Sequence, residues 1–225
     1  MKVLFIGLAR SIWLFDLNIF NSRGVSLQGM IDRLVERYRF GKHPKHSFDL
    51  EDNALSFKSG TFRNSQGLQV LVHMGIYKDG FVADTLSSTN DSTEFLSDVT
   101  TWAEAEFGFV VPPESRRAYV SQLDCECDAS LSALNPGLER LSKLLGEIYK
   151  STDGRSRVFE VAGIGFWTED VSRPLAPTAF KFERRIGAPF SENHYFSQAP
   201  LETQAHIDFL DQLEAVLKKG RSKQL

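Results

Sequence analysis

The sequence predicts an α+β fold built on a mostly antiparallel sheet, and three observations carry that expectation. From Leu68 to Ser87 the segment LQVLVHMGIYKDGFVADTLS alternates apolar and mixed residues about Asp79-Gly80, the pattern of two strands joined by a tight turn. A weaker alternation over Ala54–Phe62 extends this to a three-stranded meander over about 54–87. Helical periodicities then occur singly among the strand runs, at about 26–39, 92–107, 136–150 and 203–219. A doubly wound parallel sheet would alternate strand and helix throughout.

Taken in order, Lys2–Leu17 opens the chain as a strand, apolar on both sides near its start, which suggests a central place covered on both faces. Ser26 caps a helix in which Leu27, Met30, Ile31, Leu34 and Tyr38 recur at helical spacing. Gly41–Asn53 is polar and reads as a loop. In the meander, a turn centred on Asp79-Gly80 sets Gly75 opposite Asp84 and His73 opposite Leu86. Asp91, with Glu94 three residues on, predicts a capping box for a helix striped by Phe95, Val99 and Trp102 and ended by Gly108 and Pro112-Pro113.

Arg117–Asp128 follows as a strand. Asn135-Pro136 starts a helix with Leu138, Leu141, Leu145 and Ile148 turned inward. Strands at Arg157–Thr168 and Ala179–Ile186 flank a loop bearing Pro174 and Pro177, and His194–Ser197 forms a short strand. The last helix, Thr203–Lys219, carries His206, Leu210, Leu213 and Leu217 on one stripe and stops at Gly220. No residue repeat at a fixed period appears. The expectation is one domain over 1–225, with its weakest seam near 151–156.

Composition narrows the function classes. A net charge of -3 gives no general attraction to nucleic acid or anionic membrane. Charge is segregated locally, however. Eight acids and no Lys or Arg lie between Asp79 and Ser115, whereas Arg33, Arg37, Arg39, Lys42 and Lys45 face Glu36 alone between Arg33 and His46. Phe is in excess, with 18 residues against 5 Tyr and 3 Trp, and is expected in the core. Cys125 and Cys127 are too close for an unstrained disulfide and show no zinc spacing, so a reducing cytoplasm is expected. The apolar run Val3–Ala9 is short for a secretion signal and meets Arg10 at once. No segment approaches the roughly 20 apolar residues that span a bilayer.

Three constellations bear on chemistry. Asp124, Glu126 and Asp128 share one face of a strand, where a row of carboxylates suits a hard cation or open water. His73 and Asp84 are diagonal neighbours in the expected hairpin, a pair able to orient a general base, but no nucleophile pattern accompanies them. The basic stretch interleaves Arg37, Arg39, Lys42 and Lys45 with aromatic residues, as a phosphate or base grip requires. Phe190–Leu201, dense in aromatic and amide residues, offers Tyr195 and Phe196 either to a partner or to the seat of the last helix.

The reading that follows is a non-catalytic interaction or assembly module, a subunit or adaptor of a larger cytosolic complex. Contact or self-association would run through Arg37, Arg39, Lys42, Lys45, Tyr195 and Phe196. No catalytic residue, metal ligand or cofactor is assigned. The alternatives are nucleotide or nucleic-acid binding through residues 33–46, and metal-assisted hydrolysis at the Asp124 row.

Overall fold

The computed structural model describes residues 1–21, 23–112, 115–169 and 176–222, and the chain is α+β, with nine strands and a few helices among them. Pro113, Glu114 and Pro174 lie outside the described residues. The chain gathers into two compact units, one of residues 6–121 and 200–203, the other of residues 1–5, 122–199 and 204–225. The division falls inside two strands rather than near 151–156.

In the first unit β1 (Lys2–Leu14) leads through the short α1 (Leu17–Phe20) into α2 (Leu27–Tyr38). There follow β2 (Leu50–Glu51), β3 (Ala54–Arg63), β4 (Gln69–Tyr77), β5 (Gly80–Thr85) and α3 (Thr89–Phe107). The expected meander is present: the strands stand in the order β2-β3-β4-β5-β1 with antiparallel neighbours. Side-chain alternation sends Trp13, Val72, Met74, Ile76, Phe81 and Ala83 into one core with Met30, Ile31 and Leu34 of α2 and Phe95, Leu96 and Val99 of α3. Phe fills that core as expected. The Phe20 ring, for example, lies 4.8 Å from Phe109 and 5.2 Å from Phe81. Leu8, Arg10 and Ile12, on the opposite side of β1, are only half-buried. The expectation that this strand is covered on both faces is therefore corrected.

Two local expectations also change. The hairpin pairs Tyr77 with Gly80, so its turn is Lys78-Asp79 and not Asp79-Gly80. Gly80, at φ +144°, is needed elsewhere: a Cβ there would lie 2.0 Å from the Trp13 carbonyl oxygen. The glycine admits the neighbouring strand, and the register moves by two residues as a result. At α3 the cap is Ser88, whose hydroxyl accepts the Asp91 N–H at 3.1 Å. Asp91 instead accepts from Ser87, Ser88 and Asn64, and Glu94 from Ser65, so the predicted capping box is absent.

The second unit continues with β6 (Arg116–Glu126), a short turn of 3-10 helix, α4 (Pro136–Asp153), β7 (Gly163–Phe166), β8 (Phe180–Arg184), β9 (His194–Ala199) and α5 (Thr203–Ser222). Its strands stand in the order β6-β9-β8-β7. Leu123, Cys125, Phe182, Tyr195, Leu210 and Leu217 are buried. The predicted strand 157–168 contracts to four residues. Gly220 does not end α5 but lies within it, where a Cβ would meet the Ala133 carbonyl oxygen at 2.1 Å. The glycine serves close packing.

Compared element by element, the two halves of the chain repeat one order. Strand, helix, three strands and helix recur as β1-α2-β3-β4-β5-α3 and β6-α4-β7-β8-β9-α5, with matching strand orders β3-β4-β5-β1 and β7-β8-β9-β6. The duplication is in element order alone, which is why no residue period reveals it. It also exposes a difference. α2 buries Met30, Ile31, Leu34 and Tyr38, whereas no side chain of its counterpart α4 is fully buried.

Candidate functional site

The shifted hairpin register brings Arg10, Asp84 and His73 into one row across β1, β5 and β4, since Asp84 pairs with both Arg10 and His73. Arg10 grips Asp84 with a fork: Nε donates to Oδ1 and Nη2 to Oδ2, each at 2.7 Å. That bond, ahead of any effect of burial, raises the Arg10 pKa above its ordinary value. His73 Nδ1 accepts the Ser59 backbone N–H at 2.9 Å. Among the described residues no hydrogen bond joins His73 to Asp84, whose oxygens are held by Arg10. These residues line a cleft of about 370 Å³ with Lys58, Tyr77 and Glu51, in which Lys58 is already bound to Glu51 at 3.0 Å.

The basic segment is divided by the fold. Arg37 is clamped to Asp98, its Nη2 donating to both carboxylate oxygens at 3.1 Å, and its guanidinium lies 5.5 Å from the Tyr38 ring centre. Tyr38 Oη donates to the same carboxylate at 2.6 Å. Burial, then the bond to Asp98, raises the Tyr38 pKa well above the usual phenol range. Lys42 pairs with Glu51 at 3.3 Å. Lys45 belongs to the polar loop, where Asp49 accepts its backbone N–H at 2.9 Å. Arg39 has no ion-pair partner among the described residues and lines a cleft with Arg63 of β3, which sequence reasoning passed over.

The acidic row disperses. Asp124 is buried against Arg185 and His194, at 3.0 and 3.3 Å. Glu126 pairs with Lys2 at 3.0 Å, and Asp128 with Lys218 at 2.8 Å. Each carboxylate has its own base. Among the described residues no group of three or more His, Cys, Asp or Glu could hold a metal ion. Tyr195 is fully buried, stacked on Phe182 at 4.4 Å with its oxygen accepting the Leu131 N–H, so it seats the core and offers no contact surface. Phe196 is half-buried under the Arg185 guanidinium.

One surface went unpredicted because its residues were expected inside. On α4, Leu141, Leu144, Leu145, Ile148 and Tyr149 are all exposed, Leu141 by 62% and Ile148 by 54%. At 100° per residue they form a single stripe. Asn135 starts the helix as predicted, its side chain accepting the Gly137 N–H at 2.8 Å. Beside the stripe, Gly146 lies close to the Arg157 carbonyl and Tyr149 packs on Phe159 at 5.7 Å, leaving the leucines open. Periodicity identified the apolar face correctly. The expectation that Leu138, Leu141, Leu145 and Ile148 turn inward is corrected for all but the half-buried Leu138, because no described element covers the other three.

Comparisons add little to this geometry. No protein-family model matches the chain, and no curated protein matches it. A solved structure described as Methanococcus jannaschii TBP is similar over 97% of this chain and 99% of its own, at 10% sequence identity and a TM-score of 0.47. No described helix is long and apolar enough to cross a membrane.

Proposed function

We propose that this protein is a non-catalytic assembly module that self-associates by pairing α4 with the α4 of a second copy. The observation that carries the reading is the stripe of Leu141, Leu144, Leu145 and Ile148, exposed on a well-formed helix none of whose side chains is fully buried. Contiguous apolar surface of this kind is rare on a lone monomer. The charge pattern favours a second copy in antiparallel arrangement. A two-fold axis between Leu144 and Leu145 sets Leu141 opposite the partner's Ile148 and brings Arg140, on the flank of the stripe, near the partner's Glu147. Symmetry repeats that ion pair, so the interface is self-complementary. The free, buried thiols of Cys125 and Cys127 accord with a cytosolic setting.

Light scattering on the intact chain tests this. The wild type is expected as a dimer, and Leu145→Glu with Ile148→Glu as a monomer of unchanged circular dichroism. A monomeric wild type, or a dimer indifferent to both substitutions, would overturn it.

A further inference from the structure

A second, separate feature lies in the first unit, where the end of α2 meets the outer part of β3. Arg37, Tyr38, Arg39, Thr61, Arg63 and Asp98 line a cleft of about 470 Å³ there, with Gln69 paired to Arg63 across the ladder. The cleft holds three guanidinium groups and one carboxylate. That carboxylate is occupied: Asp98 already accepts two bonds from Arg37 Nη2 and one from Tyr38 Oη. It therefore neutralises Arg37 and leaves two positive charges, on Arg39 and Arg63, unpaired among the described residues.

The backbone makes Arg39 an unexpected choice. It caps α2 in the left-handed region at φ +54°, its N–H bonded to the Val35 carbonyl at 2.8 Å. Glycine or asparagine fills such positions most readily, and another side chain there costs about 1 kcal/mol. A cation near a helix C-terminus recovers part of that cost, but Arg37 already stands in the last turn. Arg63 stands at the end of β3, beyond the stretch that the two-residue β2 pairs. Strand pairing on the outer side of β3 ends with Leu50–Glu51 and the bridge from Lys42 to Lys58, so, among the described residues, 60–63 have no strand partner on that side, where Thr61 Oγ1 instead donates to the Tyr38 carbonyl at 3.5 Å. Local structure thus explains neither guanidinium. Both guanidinium groups line the same cleft, Arg63 with Gln69 as its cross-strand partner, and their planar forks of N–H donors suit an anion with several acceptor oxygens.

From this geometry we infer that the cleft binds the phosphoryl group of a small phosphorylated molecule, with Arg39 and Arg63 as its ligands. Free phosphate and a nucleotide share that chemistry, and a cleft of this size accommodates either. Arg37 positions the wall through Asp98 and makes no contact with the ligand.

Titration calorimetry with inorganic phosphate, with ATP and with a single-stranded oligonucleotide tests the inference on the full chain. Saturable binding of phosphate or ATP is expected, weakened about tenfold or more by Arg39→Gln or Arg63→Gln. Lys78→Gln, an equal loss of charge at the hairpin turn, is expected to leave it unchanged. Tighter binding of ATP than of phosphate would identify a nucleotide, and the reverse the free anion. The inference is overturned if neither binds, if the arginine variants bind as tightly as wild type, or if only the oligonucleotide binds. In the first two outcomes the arginines are reduced to guards of an open strand edge. Circular dichroism of each variant separates loss of binding from loss of fold.

Discussion

The Nδ1 atom of His73 accepts the backbone N–H of Ser59 at 2.9 Å, and this contact compensates a β-bulge. The β3–β4 register shifts between Phe57 and Gly60, leaving Ser59 out of the ladder at φ +58°. A bulged residue loses its cross-strand partner, and the imidazole replaces it. His73→Ala should cost about 1 kcal/mol, the net worth of a hydrogen bond at a half-exposed site. Ser59→Gly should instead stabilise by about 0.5–1 kcal/mol, because glycine takes the left-handed conformation without steric penalty. Urea denaturation midpoints check both, and opposite signs are expected.

The antiparallel pairing of α4 makes a sharper claim than dimerisation alone. Arg140→Glu sets like charges against Glu147 of the second copy, twice over, and should weaken association. Glu147→Arg should do the same, whereas the double reversal should restore the dimer. Each site is on an exposed helix face, so monomer stability should change by no more than about 0.5 kcal/mol. Sedimentation equilibrium of the four proteins gives the coupling directly.

Much of the fold is legible in the sequence, and the failures share a cause. Alternation over Ala54–Ile76 identified the meander, and apolar spacing located four helices to within a few residues. Each of those signals is local. What an apolar face meets is decided by distant chain, so residue spacing fixes the stripe of α4 but not the side it faces. Gly80 marked a hairpin truly but misplaced its centre, because the glycine answers to Trp13 in another strand. Arg63 was overlooked for the same reason: only the packing of α2 beside β3 brings it to Arg39. The duplicated topology leaves no trace in residue identity, since many sequences satisfy one element order.

The clamp on Asp98 gives a third prediction. Tyr38 is buried in the core while its hydroxyl reaches the carboxylate at 2.6 Å, beside the Arg37 fork. Tyr38→Phe keeps the ring, which packs at 5.0 Å on Phe95, and removes that bond together with the one its hydroxyl accepts from Arg37 Nε at 3.1 Å. The loss should be about 1–2 kcal/mol, at the lower end for a charged acceptor because Asp98 keeps Arg37. Thermal unfolding measures it. A loss near that of Tyr38→Ala would mean that the ring's packing is not what holds the site.

His206 sets the pH dependence of the second unit. It is wholly buried on α5, its Nε2 2.8 Å from Ser197 Oγ and its ring 6.2 Å from Phe180. Burial disfavours the imidazolium and lowers its pKa from 6.5 to about 4. Between those values the unfolded chain binds a proton that the folded chain refuses. The stabilising contribution is therefore complete above pH 6.5, declines as pH falls, and is gone below about 4. The full swing is roughly 3 kcal/mol. His206→Gln removes the titration and keeps a hydrogen-bonding group toward Ser197. It should be less stable than wild type at neutral pH, and the gap should narrow on acidification through this window. Urea unfolding of both proteins from pH 7 to pH 4 checks the claim, and curves that run parallel throughout would show that folding leaves the His206 pKa unshifted.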